Sequence, residues 1–276
     1  MDKTQIECLE KTADRIRMSV IRGTHYAGSG HPGGSLSVCD LLAYLYFVEM
    51  KVDAKAPKMP ERDRLVMSKG HAAPALYGAL AEKGFFPKED IDSLRKISSY
   101  LQGHPDCKHT PGVDMSTGSL GQGISAACGI ALSAKLSNSD YRTYAILGDG
   151  ELEEGQVWEA AMFASHYKLD NLCAFVDLNG LQIDGATKDV MNSFPVDEKF
   201  RAFGWNVVVI NGHDFNEIEN SLSSFHECKG KPTAVIMNTV KGKGVSFMEN
   251  QVDWHGRAPK DDEFETAVNE INARLG

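Results

Sequence analysis

The chain has 276 residues, 42% hydrophobic and 24% charged, with a formal net charge of -9. That length suits one large α/β domain or two small ones, and the composition is that of a folded globular protein, which excludes disorder as the main state. The acidic balance, with no basic cluster longer than a few residues, excludes nucleic-acid binding through phosphate neutralisation.

The amino end, MDKTQIECLEKTADRIR, reads as a charged helix and not as a signal peptide. No apolar run is long enough for a membrane span, so neither a membrane nor a nucleic acid is expected as partner, and the expected location is cytoplasmic. Cys8, Cys39, Cys107, Cys128, Cys173 and Cys228 are scattered without CxxC pairs, and read as reduced structural residues.

Ile6, Leu9, Ala13, Ile16 and Val20 form a helical stripe over residues 4–22. An irregular glycine-rich loop follows from His25 to Ser35, and Ser35 is expected to cap a helix from Leu36 to Met50. Arg64 to Met67 predicts a short strand, and a helix runs on to Lys83. Between them lies Ser68-Lys69-Gly70-His71, where a histidine at a strand-to-helix turn can donate to an anion together with helix N–H groups. The glycine density from Ser116 to Gly123 marks a loop lying close to a ligand, ahead of a small-residue helix from Ile124 to Leu136.

The centre of the chain runs from Tyr141 to Gly185. A strand (Tyr144 to Leu147) breaks at Gly148-Asp149-Gly150, a helix follows, and a second strand (Leu172 to Val176) ends in Asp177, Asn179 and Gly180. In open α/β sheets that edge collects ligands, and glycine N–H groups at a helix start suit a phosphate. Asp149, Glu151, Glu153 and Glu154 would repel one unless a cation lay between, so the turn asks for a hard ion, Mg²⁺ or Ca²⁺, held by oxygen ligands. The same residues also fit an ordinary hairpin turning at Asn179-Gly180.

Further strands are expected at Trp205 to Ile210 and Thr233 to Thr239, with helices at Val190 to Phe203 (after a loop), Asp214 to Cys228 and Phe264 to Leu275. Strands rich in Val, Ile and Ala alternating with helices predict the fold class: α/β, a doubly wound, mostly parallel sheet with helices on both faces. Residues 1–276 are expected to form a single domain. Taken alone, Lys241-Gly242-Lys243-Gly244 reads as a mobile solvated loop and His255 as a surface residue.

These segments together resemble transketolases. GDGELEEGQVWEAAMFA (residues 148–164), with Asn179 about 30 positions after the GDG, resembles their thiamine diphosphate motif. SGHPGGS (29–35), RLVMSKGHAAPALYGAL (64–80) and TVKGKGVSFME with WHG (239–256) are similar to further family segments. The resemblance implies the thiamine diphosphate-binding fold. It implies that Asp149, the Asn179 side chain and the Leu181 carbonyl hold a divalent ion bridging the cofactor's diphosphate, with Gly150 contacting phosphate, Glu151 beside it, and His71 binding the diphosphate. Gly118, Ser119 and Leu120 would border the aminopyrimidine ring; many family members carry Pro where this chain has Ser119. His31, His104 and His255 would be the catalytic residues. His31 would reach the reactive ring, His104 the sugar hydroxyls, and His255 the diphosphate and the donor.

The resemblance covers about residues 10 to 260 and only the first part of a complete transketolase. The glutamate that activates the aminopyrimidine belongs to a second domain that nothing here matches, nor do the basic residues that grip a sugar phosphate. The expected function is therefore that of the N-terminal subunit of a two-chain transketolase. It would move a two-carbon ketol unit from a ketose phosphate to an aldose phosphate once paired with a C-terminal subunit carrying the pyrimidine-binding domain, in a two-plus-two assembly. Glu154 and Glu159 match family acids near the subunit contact. Competing readings are a transketolase for an unusual sugar, a deoxyxylulose phosphate synthase, a dehydrogenase component, or a noncatalytic regulatory homologue.

Overall fold

A computed structural model describes all 276 residues. Its strands are β1 (Arg64–Met67), β2 (Thr143–Gly148), β3 (Leu172–Leu178), β4 (Leu181–Gln182), β5 (Gly185–Ala186), β6 (Asn206–Asn211) and β7 (Thr233–Asn238). Five of them form one sheet in the order β1-β2-β3-β7-β6, with every pair parallel, while β4 and β5 make a small antiparallel ribbon. The expected parallel α/β architecture is therefore the observed one.

The strand residues divide by parity between two apolar cores. Leu65, Met67, Tyr144, Ile146, Cys173, Phe175, Val235 and Met237 face one, with helices Lys3–Ala27, Cys39–Tyr44, Ala73–Lys83 and Phe215–Glu227. Val66, Ala145, Leu147, Ala174, Val176, Ala234 and Ile236 face the other, with helices Gln122–Leu136, Gly155–His166 and Val196–Ala202. Dry on both sides, the central strands gain about 1.5–3 kcal/mol for each large aliphatic or aromatic side chain buried. Their polar groups can meet a ligand only at the strand ends.

The first helix runs further than its stripe predicts, from an Asp2 cap that accepts from the Gln5 amide to Gly28, left-handed at φ 60°. The expected helix from Leu36 to Met50, capped by Ser35, is corrected. The chain instead forms Pro32–Leu36, then Cys39–Tyr44, then a π-helical turn over Leu45–Glu49. Proline at the first helical position starts the turn early. Ser35 consequently sits inside it, its Oγ donating to the His31 carbonyl at 2.7 Å. No helix is long and apolar enough to cross a membrane.

Candidate active site

Three adjacent parallel strands deliver polar groups to the carboxyl edge of the sheet. Lys69 follows β1, Asp149 follows β2, and Asp177 lies in β3 at the register of Gly148. A cavity of about 120 Å³ opens there, and Asp149, Gly150, Asn179, Leu181, His71 and His255 line it with Leu120 and Glu151. A larger cleft of about 610 Å³ lies between the first and last helices. It is lined by five carboxylates and four Lys or Arg side chains and holds none of the predicted residues, which gather instead around the smaller cavity.

The two strand-end aspartates differ in what surrounds them. Asp177 is fully buried and accepts from Lys69 Nζ at 2.5 Å, Ser37 Oγ at 2.7 Å, Asn179 Nδ2 at 2.9 Å and the Thr239 hydroxyl. Burial pushes its pKa up, but the Lys69 ammonium and these donors outweigh burial and hold it low. Its acceptor capacity is turned inward. Asp149 accepts only two backbone N–H groups, Gly150 at 2.9 Å and Gly180 at 2.6 Å. Burial, then the nearby Asp177 charge, push it up to about 6.

Gly180 is left-handed at φ 76°, which turns the backbone so that its own N–H meets Asp149. Asn179 Oδ1 accepts from the Leu181 amide at 3.1 Å, and the Leu181 carbonyl accepts from Lys241 Nζ at 3.0 Å. A hairpin tip at Asn179-Gly180 is thereby excluded. β4 pairs with β5 so that the turn falls at Ile183-Asp184, and Asn179 stands at the base of the ribbon beside the cavity.

Four imidazoles crowd over this floor. His31 lies 5.4 Å from His71, 5.6 Å from His255 and 6.4 Å from His104, centroid to centroid, and His71 stacks on His255 at 5.2 Å. Burial, followed by Arg95, His104 and Lys241, lowers His31 to about 4; burial, then Lys241, lowers His255 to about 3. His71 and His104 are lowered chiefly by burial as well. All four rings are therefore neutral near pH 7, able to donate through one nitrogen and accept through the other. His31 Nδ1 is buried without a protein partner.

Glycine lets the loops close around these rings. A Cβ on Gly118, itself at φ 139°, would lie 2.9 Å from the His104 ring, and one on Gly70 would lie 2.6 Å from the Gly118 nitrogen. Ser119 is exposed on this loop. Glu151 accepts from the Ser68 hydroxyl, from Gly121 N at 2.9 Å and from Gly148 N at 3.1 Å. It fastens the exit of β1, the glycine loop and the GDG turn to one another, and burial raises its pKa despite those bonds.

Sequence reasoning missed Lys69 and Lys241. Lys241, expected in a mobile loop, is buried, with Nζ 3.0 Å from His255 Nδ1. Burial, then repulsion from Lys69, lowers it to about 8. Arg95 was missed too. It adopts φ 60°, and its guanidinium lies so close to Gly103 that a Cβ there would be 2.7 Å from its Cζ, beside His104. For Lys69 the available signal was its place between an apolar strand end and a helix start, where a side chain has no short path to solvent.

The donor set fits a hard cation. A carboxylate satisfied only by amides, a carboxamide oxygen and a main-chain carbonyl face one cavity, and no cluster of three His, Cys, Asp or Glu side chains offers a softer site. The two lysine ammoniums and the neutral imidazoles beside them are donors suited to phosphate oxygens.

Comparison with known proteins identifies the family. Residues 9–275 match the family described as transketolase, thiamine diphosphate binding domain. The chain is 47% identical over 271 residues to the 6-deoxy-6-sulfo-D-fructose transketolase subunit SqwG of Clostridium sp. (strain MSTE9), covering 98% of each. It is 42% identical over 271 residues to an apulose-4-phosphate transketolase subunit of Phocaeicola vulgatus, covering 98% of this chain and 96% of the other. It superposes on the transketolase of Campylobacter jejuni with a TM-score of 0.91 at 34% identity, covering 99% of this chain but 43% of that one. Matched over residues 9–275 and over nearly the whole length of two subunit relatives, the chain belongs to the transketolase family, as the thiamine diphosphate-binding part.

Proposed function

We propose that this chain is the diphosphate-binding subunit of a two-chain transketolase, active when a C-terminal partner supplies the pyrimidine-binding half. The observation that carries this reading is one of coverage: two relatives named as subunits match over nearly their whole length, whereas a solved transketolase is covered over 43%. A two-plus-two assembly, a cytoplasmic setting and a single domain over residues 1–276 belong to the same proposal.

In it, Asp149, Asn179 and Leu181 hold Mg²⁺ or Ca²⁺. Gly150, Lys69, Lys241, His71 and His255 face the diphosphate, and Gly118 to Leu120 border the pyrimidine. When bound there, thiamine diphosphate would supply the carbon nucleophile needed for transfer of a two-carbon ketol unit. His31 and His255, uncharged, donate to the donor's carbonyl oxygen where negative charge grows, and pass protons to and from its hydroxyls. His104, at the mouth, orients those hydroxyls. Asp177 holds Lys69 in place without itself meeting the ligand.

The names of the two subunit relatives favour a specialised sugar over the common pentose phosphates. Reconstituting the chain with its partner and comparing 6-deoxy-6-sulfo-D-fructose and apulose 4-phosphate with xylulose 5-phosphate as donors tests that choice. Calorimetry of Asp149→Ala in the reconstituted complex tests the site: unchanged thiamine diphosphate affinity would refute it.

A further inference from the structure

Lys241 reaches the cavity from a loop, and something must hold that loop at the end of the sheet. β6 and β7 pair as far as Asn211 and Asn238, and the last backbone bond of the ladder is Gly212 N to Asn238 O at 2.9 Å. Beyond it the ladder is continued by a side chain. Val240 N–H donates to His213 Nε2 at 2.9 Å, and His213 Nδ1 lies 2.7 Å from Asp40 Oδ2.

This pairing fixes the ring's chemistry. Because Nε2 accepts from an amide, the ring proton sits on Nδ1 and is donated to Asp40. Asp40 is in turn held by Arg17 Nη2 at 2.6 Å, while Arg17 Nε donates to the Lys243 carbonyl at 3.1 Å. Arg274 adds a bond to the Gly244 carbonyl at 2.9 Å. The polar side chains of this network grip the loop's main chain on one side of Lys241, and the Lys241 ammonium projects into the site on the other.

We propose that His213 is a positioning residue for Lys241: through the Val240 amide it sets the loop from which that ammonium reaches the Leu181 carbonyl and His255. The inference rests on Lys241 belonging to the cofactor site. His213 does not line the cofactor cavity; its effect travels through one main-chain bond.

Two amide replacements separate the ring's two bonds. His213→Asn can keep the bond to Asp40 but lacks an acceptor at the Nε2 position; His213→Gln places an amide oxygen near that position. The first readout is the rate at which an amine-reactive reagent labels Lys241 in the full chain without cofactor, followed by mass spectrometry. H213N is expected to raise that rate about tenfold through loss of burial, with H213Q close to the native rate. The second is Mg²⁺–thiamine diphosphate affinity in the complex for H213N, Lys241→Met and both together. The double variant is expected to bind no more weakly than K241M alone, as for residues acting in series.

Native labelling of Lys241 in H213N, or equal labelling in H213N and H213Q, would overturn the positioning role. Additive losses of affinity would overturn it too. If labelling rises but K241M binds cofactor as the native chain does, the positioning inference stands and the assignment of Lys241 to the cofactor site falls.

Discussion

Lys69 and Asp177 form an ion pair with Nζ and Oδ2 2.5 Å apart and side chains 1% and 0% exposed. Burying both charges is tolerable because the remaining valences are filled: Lys69 also donates to the Gly34 carbonyl at 2.6 Å, and Asp177 accepts from Ser37, Asn179 and Thr239. Lys69→Met would strand the carboxylate without its counter-charge. A cost of about 3–5 kcal/mol is expected, read as a drop of Tm on the order of 10 °C in the cofactor-free chain. An unchanged Tm would mean that the pair is not what holds the floor of the site.

Asp149 and Lys241 set a pH window. Asp149 must be ionised to ligate a cation, and its pKa is raised to about 6; Lys241 must be charged to meet phosphate, and its pKa is lowered to about 8. Affinity for Mg²⁺–thiamine diphosphate should be greatest between those values and fall about tenfold per unit below 6. K241M should lower the plateau, flatten the alkaline limb and move the acid limb to higher pH, because the Lys241 charge helps to hold the Asp149 pKa down. Without ligand the sign reverses for the carboxylate. Its folded pKa lies above the unfolded 3.8, so the stability it contributes is present at low pH and is lost as pH rises through about 6. The lysine, depressed from 10.5, destabilises the fold below about 8, and that cost fades as pH rises further. Thermal melts from pH 5 to 9 with and without Mg²⁺ and cofactor check both limbs.

His31 carries no charge at neutral pH and leaves Nδ1 without a protein partner. If it moves protons at the donor and does not hold diphosphate, His31→Ala should lower kcat by about 10²–10⁴-fold with cofactor affinity near native. Steady-state kinetics and calorimetry on the same preparation separate the two. A variant that loses affinity and kcat together would return the ring to the binding residues.

Arg95 puts a basic side chain beside His104, where none was expected. Its guanidinium lies on bare Gly103 beside His104, and if the proposed donor is anionic it is the basic group nearest that imidazole. Arg95→Ala should raise KM for a phosphorylated donor roughly tenfold, as for loss of one charge-assisted contact, and weaken the dependence of kcat/KM on ionic strength. A dephosphorylated donor should not respond.

The fold was legible because burial on both faces of the sheet imposes runs of Val, Ile and Ala that few other architectures need. The histidines and Asp149-Asn179 were expected together only because their segments resemble one family's; taken singly, His255 read as a surface residue and Asn179-Gly180 fitted a hairpin tip. Lys69 and Lys241 were not. A buried ammonium and a solvated one look alike in sequence, and only the partners brought from residues 34, 177 and 181 distinguish them. The break of the predicted Leu36–Met50 helix was hidden for a related reason: Ser37 Oγ is taken by Asp177, 140 positions away.

The left-handed turn at Gly180 brings its own N–H to Asp149 and leaves Asn179 and Leu181, on either side of it, lining the same cavity. Such a triplet has no slack: adding or deleting one residue between 178 and 182 would rotate each group away from Asp149. The ribbon tip at Ile183-Asp184 is under no such demand. Tolerance to changes of length should therefore begin abruptly, one residue past the donors.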